Sequence, residues 1–224
     1  MRPVSILIKI PSRERPEQLR EVLDAVFLLR DPSVPTAVLV SADEDDDTMR
    51  EFHYDHPITV IYGERTTKVG AINRDLERLP WDIVLVLSDD MVPVASGFNR
   101  IAFKGMLDFF PDFNGCLWLS DGRQERIPTI ACMGRSYWYD HGKEVYDSRF
   151  DAYFCDDAQL MLAEREGRIE RIPGPFAMHM HSMYNRPGAP AGPRMPDDLL
   201  RVNQARKARD KEMFDAWKKE NGFK

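Results

Sequence analysis

The chain has 224 residues, 43% of them hydrophobic and 30% charged. That length and balance fit one globular domain with an appendage and exclude a largely disordered or collagen-like chain. The net charge of −6 leaves no global basic field to draw in nucleic acid.

The first ninety residues alternate strand and helix. Val4 to Ile10 is β-branched and stops at Pro11, which predicts a buried strand. Pro16 suits a first helical turn, and Leu19, Val22, Leu23, Val26 and Phe27 follow at the spacing of an amphipathic helix. Ala37 to Ala42 and Ile58 to Tyr62 read as two further strands. Val69, Ile72, Leu76 and Leu79 mark a second helix. Ile83 to Leu87 is a fourth strand and runs straight into Ser88-Asp89-Asp90. Strands alternating with helices predict an α/β layered fold with a mostly parallel sheet, flanked by helices.

The second half is less regular. Ser96 is placed to cap a helix carrying Phe98, Ile101, Ala102 and Phe109. Cys116 to Leu119 and Thr129 to Met133 read as short strands. Asp156 or Asp157 begins a helix that Gly167 ends. Ile169 to Ile172 and Ala177 to His181 are two more short strands, and Ser182 to Pro196 is a Pro- and Gly-rich loop. Asp197 to Asn221 is a final helix, acidic at its start and basic at its end. The expected organisation is one domain over 1–196, its halves meeting near residue 95, and a helical extension over 197–224.

Cys116, Cys132 and Cys155 form no C-x-x-C pair, so neither a zinc knuckle nor a disulfide framework is expected. The longest strongly apolar run, Ile83 to Leu87, is far below the ~18 residues of a membrane span. Nor does the N-terminus read as a signal peptide. The expectation is a cytoplasmic chain with no transmembrane segment.

Ligands of open α/β sheets bind beyond the carboxyl ends of the strands. That edge would hold Pro11-Ser12-Arg13, Asp43 and Asp89-Asp90. Two carboxylates after a buried strand must be solvated, paired or metal-bound. Hard oxygen ligands in a loop suit Mg²⁺ or Mn²⁺ that also holds a diphosphate, though a solvated turn has the same composition. His179 and His181 stand at i and i+2, on one face of a strand, where either can add an imidazole ligand. Asp43 to Asp47 fails as an EF-hand, because Thr48 and Tyr54 stand where Gly and Glu are required. Asp43 is left facing the ligand edge, with its acidic neighbours a solvated face. Arg13, Arg65 and Lys68 lie near that edge and can bind phosphates. In the second acidic pair one acid suffices for a helix cap, to which Asp156 is the nearer, and the other is left for another role such as a general base. No dinucleotide fingerprint, P-loop or hydrolase elbow is present.

In this order the parts resemble the GT-A glycosyltransferases, in particular the inverting family 2 type, over roughly residues 4 to 181. The resemblance rests on Ile10-Pro11-Ser12-Arg13, Ser41-Ala42-Asp43, Lys68-Val69-Gly70-Ala71-Ile72-Asn73, Leu85-Val86-Leu87-Ser88-Asp89-Asp90, Cys155-Asp156-Asp157, His179 and His181. The family's metal motif is often D-x-D. Here Ser88 replaces the first carboxylate, so Asp90 matches the main ligand. The family's base motif is usually Glu-Asp, matched here by Asp156-Asp157.

The resemblance implies a GT-A fold and transfer of a sugar from a nucleoside diphosphate to an acceptor hydroxyl. Pro11, Ser12, Arg13 and Asp43 would hold the nucleoside. Lys68, Asn73 and Asp89 would lie along the rest of the nucleotide sugar. Asp90 with His181 or His179 would hold Mn²⁺ or Mg²⁺, and Asp157, beside Asp156, would be the catalytic base. The acceptor stays open: a saccharide, a lipid-linked sugar, a protein, a metabolite or a modified nucleobase. Two alternatives remain, a sugar-1-phosphate nucleotidyltransferase and a non-catalytic nucleotide-sugar-binding module. The absence of Gly from Pro11 to Pro16 weighs against the first, and retention of both acidic pairs against the second.

Overall fold

The computed structural model describes residues 5–123, 125–180 and 197–223. Strands β1 (Ile6–Pro11), β2 (Thr36–Asp43), β3 (Thr59–Gly63) and β4 (Ile83–Val86) pair in parallel. Two more short elements follow the second and fourth of these strands, α2 (Asp47–Arg50) and β5 (Met91–Pro93). β6 (Cys116–Ser120) and β7 (Ile130–Gly134) extend the sheet antiparallel, and β8 (Ile169–Pro175) closes it parallel to β6. The order is β3-β2-β1-β4-β7-β6-β8. Two reversals between β4 and β6 cancel, so β6 points the same way as β1, β2 and β4. Its carboxyl end therefore reaches the same edge of the sheet. A separate ribbon pairs β5 with β9 (Ala177–His179).

β1 shows why the sheet is buried on both sides. Ile6, Ile8 and Ile10 face one core with α1 (Pro16–Leu29) and α4 (Phe98–Phe109). Leu7 faces the other core, with α3 (Lys68–Asn73), α5 (Arg135–Asp140), α6 (Cys155–Arg165) and α7 (Asp197–Glu220). Alternate residues of a strand point to opposite faces, so an apolar run with no polar side is needed here. The stripe Leu19, Val22, Leu23 and Val26 of α1 is fully buried. Each such side chain contributes about 1.5–3 kcal/mol.

Two local expectations are corrected. The second helix does not continue to Leu79. α3 ends at Asn73, Arg74 is extended and Asp75 is left-handed, and a single 3-10 turn spans Leu76–Arg78. The reason is polar: the Arg74 carbonyl turns to accept the Lys9 ammonium at 2.7 Å, and the Arg74 guanidinium donates to the Glu64 carbonyl at 2.7 Å. The second correction is at α4, which Ser96 does not cap. Gly97 stands at its N-cap in a left-handed conformation (φ 68°), and its N–H donates to the Leu29 carbonyl.

Lys9 is the one polar interruption in β1 and is completely buried. It donates to Ser41 Oγ and to the Arg74 carbonyl. Burial lowers its pKa to about 7 against the opposing pull of Asp75. The unfolded chain therefore holds one more proton than the native one between pH 7 and the ordinary lysine value of 10.5. Stability should rise with pH across that window, by at most about 1.4 kcal/mol per unit. In Lys9→Met this contribution should be missing. Urea denaturation of both proteins at pH 7 and 9 checks it; equal pH slopes would show that Lys9 stays charged in the native state.

Candidate active site

The carboxyl ends of β1, β2, β4 and β6 deliver two groups of polar residues, and the head of α6 carries a third. The first lies beyond β1 and β2. Asp43, buried at the last position of β2, takes Arg13 on Oδ2 at 3.0 Å and Arg74 on Oδ1 at 3.2 Å. Arg13 also pairs with Asp45. Glu14 adopts a left-handed conformation (φ 58°), and its N–H donates to Asp46 at 2.7 Å. Around this strained residue the two flanking arginines diverge, Arg13 toward Asp43 and Arg15 toward Asp89.

The acidic run after β2 is not simply a solvated face. Asp46 is buried and caps α2, accepting the N–H groups of Thr48 and Met49. Burial opposes, but the Thr48 hydroxyl and the Glu14, Met49 and Thr48 N–H groups together hold its carboxyl below the usual range. Asp45 serves Arg13, with Arg65 at 3.8 Å. Glu44 and Asp47 are exposed, as expected.

The second group is a chain of charges beyond β4. Asp89 is buried; its Oδ2 accepts from Ser12 Oγ at 3.0 Å and its Oδ1 from Arg15 at 3.2 Å. Burial pushes its carboxyl up, opposed by Arg15. Asp90 meets Arg15 at 3.6 Å through Oδ2 and His179 Nε2 at 3.4 Å through Oδ1. The ribbon makes this contact: Met91 pairs with His179 in register, and the Met180 N–H donates to the Asp90 carbonyl at 2.7 Å. His179 Nδ1 lies 3.3 Å from Asp121 Oδ2. Asp121 is buried just beyond β6, where it also accepts from Thr129 Oγ1 at 2.8 Å and the Arg123 N–H at 2.8 Å. Burial alone would lower the His179 pKa, but the two carboxylates outweigh it and raise it to about 9. Asp90 is correspondingly lowered: burial opposes, and His179, Lys68 and Arg15 prevail.

The third group opens α6. Its N-cap is Phe154, left-handed at φ 61°, so Asp156 and Asp157 lie in the first turn and neither is the cap. This corrects the expected capping role of Asp156, whose Oδ1 accepts the Asp157 N–H at 3.1 Å instead. Burial, reinforced by the charge of Asp157, lifts the Asp156 carboxyl to about 6. Lys68 opens α3, and the head of that helix is tied to the chain just before α6 by the Val69 N–H, which donates to the Asp151 carbonyl at 3.0 Å.

The structure thus brings Ser12, Arg13, Asp43, Asp89, Asp90 and His179 into contact chains beyond the strands, and places Lys68 at the head of α3 and Asp156 with Asp157 at the head of α6. Pro11 ends β1 beside Ser41 of β2. Asn73 stands apart from the ligand edge in its contacts: its amide donates to the Tyr146 carbonyl and accepts from the Val145 and Tyr146 N–H groups. It clamps that loop. His181 and the expected loop Ser182 to Pro196 lie outside the described residues. Arg15, Arg74 and Asp121 were not singled out from sequence. Asp121 stands just past the carboxyl end of β6, a position that the sequence shows as plainly as it shows Asp43 at the end of β2.

No protein-family profile matches this chain, and no curated protein matches it in sequence. Solved structures do match in shape. Residues 1–349 of S. aureus TarS superpose with a TM-score of 0.60 at 14% identity, over 79% of this chain and 60% of that one. The mannosyltransferase PcManGT from Pyrobaculum calidifontis, in complex with GDP-Man and Mn²⁺, superposes with a TM-score of 0.64 at 16% identity, over 84% of this chain and 59% of that one. TarS 1–349 in complex with UDP-GlcNAc gives a TM-score of 0.60 at 13% identity. The fold is GT-A. The chain spans about three fifths of the length of the first of these structures. Among the described residues no helix is long and apolar enough to cross a membrane.

Proposed function

We propose that this GT-A chain transfers a sugar from a nucleoside diphosphate to an acceptor hydroxyl, with inversion. The observation that carries the reading is two acidic groups with a lysine beside them: Asp90 with His179 at 3.4 Å beyond β4, Asp156 beside Asp157 at the head of α6, and Lys68 at the start of α3, whose neighbour Val69 donates to the Asp151 carbonyl just before α6. A transferase needs both a place for diphosphate charge and a base for the acceptor. The solved GT-A structures complexed with GDP-Man or UDP-GlcNAc support it by fold.

The nucleoside falls to Pro11, Ser12, Arg13 and Asp43. Asp43 presents a carboxylate and Arg13 a guanidinium side by side, an acceptor and a donor for the edge of a base. Asp43→Ala should raise the dissociation constant for UDP or GDP by roughly ten-fold to a hundred-fold without metal, the scale of one lost charged hydrogen bond. Calorimetry in EDTA checks this. An unchanged constant would restrict Asp43 to holding Arg13 and Arg74.

A divalent ion fits the second group. Among the described residues no three His, Cys, Asp or Glu side chains converge as a ready-made cage. Asp90 and His179 nevertheless have the donor chemistry for an ion that completes its shell with phosphate oxygens and water. The buried Asp121 on the far nitrogen of His179 is the outer partner that a ligating imidazole ordinarily has. Asp90 with His179, and His181 by resemblance, would hold Mn²⁺ or Mg²⁺, which when bound neutralises charge on the departing diphosphate. Asp121→Asn should weaken Mn²⁺ binding in the presence of UDP or GDP by about 10–100-fold. Titration by calorimetry reads this; an unaltered affinity would leave Asp121 a packing residue.

Lys68 lends positive charge where the phosphates would lie. Ser12 and Asp89 join the β1 and β4 loops and fix the floor beneath them. Asp157 takes the proton from the acceptor hydroxyl as it attacks the anomeric carbon, and Asp156 shapes its surroundings. The test of the reading is hydrolysis and binding across a panel of nucleotide sugars, with and without Mn²⁺. Hydrolysis of at least one donor, and metal-dependent thermal stabilisation by its nucleoside diphosphate, is the expected result. Formation of pyrophosphate from a sugar-1-phosphate and a nucleoside triphosphate would favour the nucleotidyltransferase instead. Binding without turnover would favour a non-catalytic module.

A further inference from the structure

We propose that Asp210, on the C-terminal helix, is a positioning residue for the acidic pair Asp156–Asp157. The inference rests on the transferase reading and assigns α7 a part in it.

Asp210 is the first buried residue after an exposed stretch of α7 at residues 204–209. A buried carboxylate is costly unless its oxygens are hydrogen-bonded. Here it gathers three consecutive backbone N–H groups from a loop far away in sequence. The Asp151 N–H lies 3.0 Å from Oδ1 and 3.2 Å from Oδ2, and the Ala152 and Tyr153 N–H groups each lie 2.9 Å from Oδ2. The next residue is the left-handed Phe154, and the helix carrying the acids starts immediately after it. The donors of a helix entry are ordinarily satisfied from the adjacent chain. Phe154 supplies no side-chain cap, and the three N–H groups that Asp210 takes belong to the residues just before it, so the carboxylate from α7 holds the approach to the helix rather than its first turn.

The same loop is held from its other side. The Asp151 carbonyl accepts the Val69 N–H at 3.0 Å, one residue beyond Lys68. Residues 151–153 therefore lie between α7 and the head of α3, and their backbone leads directly into the helix that carries the acids. The Phe154 ring stacks on Phe214 of α7 at 5.4 Å, and Arg209 pairs with the Asp151 carboxylate. Apolar docking through Phe214 and Trp217 seats α7. The carboxylate of Asp210 adds direction to this docking, because it aligns three N–H groups immediately before the entry to α6.

A small displacement of a catalytic group from its productive geometry lowers turnover by about 10²-fold. The test uses the full chain and whichever of UDP-GlcNAc and GDP-Man it hydrolyses, with water in place of the acceptor. Asp210→Ala should lower kcat by about 10²-fold, leave KM and the Mn²⁺-dependent binding of the nucleoside diphosphate unchanged, and speed hydrogen exchange of amides 151–157. Asp210→Asn keeps one acceptor oxygen and should recover part of kcat; it also serves if the alanine variant does not fold. Unchanged exchange at 151–153 would overturn the clamp. Faster exchange with normal kcat would overturn the positioning role. Asp157→Asn and Asp156→Asn are run alongside: normal hydrolysis in both variants would take the acidic pair out of the proposed mechanism on which this inference rests, whatever Asp210 does.

Discussion

Asp157→Asn should lower sugar transfer, or donor hydrolysis in its place, by about 10²–10⁴-fold, the scale of a general base. The substitution keeps shape and removes basicity. Asp157 lies in the first turn of α6, and its N–H donates to Asp156 rather than to a cap. Donor and metal binding should therefore stay close to wild type. Steady-state kinetics with the active donor, together with calorimetry of UDP or GDP with Mn²⁺, separates the two. Asp156→Asn is the control. Its carboxyl is lifted to about 6 by burial and by the adjacent Asp157 charge. If it abolishes turnover while Asp157→Asn does not, the two roles are exchanged. If neither variant changes the rate, the pair is structural and the proposed mechanism has no base.

Asp90→Ala should abolish the metal-dependent part of nucleoside diphosphate binding. Asp90 is the carboxylate that meets both Arg15 and His179 and so joins the cationic loop to the imidazole. Removing it separates them while β4 and the sheet remain buried. UDP or GDP should then bind equally with Mn²⁺ and with EDTA. His179→Ala and His181→Ala should each reduce the metal effect if they are ligands. Undiminished metal dependence in Asp90→Ala would remove Asp90 from the metal site and return the Asp89-Asp90 pair to a structural turn.

The strands and their common edge were legible from the chain itself. A run such as Ile6-Leu7-Ile8 excludes water on both faces whatever its neighbours are, and Pro11 stops it without outside help. Residues just beyond such runs must reach the carboxyl edge, which is why Ser12, Asp43 and Asp90 were found. Helical spacing was less safe. Val69, Ile72, Leu76 and Leu79 keep the period across a break that only the Lys9 and Arg74 hydrogen bonds create.

By itself, then, the sequence determined the α/β alternation, the buried strands and the acidic pairs at their ends, because these follow from local pattern and solvation. Only the tertiary structure decided which acids are joined to which partners. Three-residue strands carry no period of their own, so the pairing of Met91 with His179, and with it the Asp90–His179–Asp121 chain, depended on long-range hydrogen bonding. The direction of β6, set by two strand reversals, put Asp121 at the ligand edge. Asp210 reads in sequence as one more charge on a polar helix. It becomes a buried clamp only because Phe214 and Trp217 seat that helix against α6, where three backbone N–H groups offer the hydrogen bonds that a buried carboxylate requires.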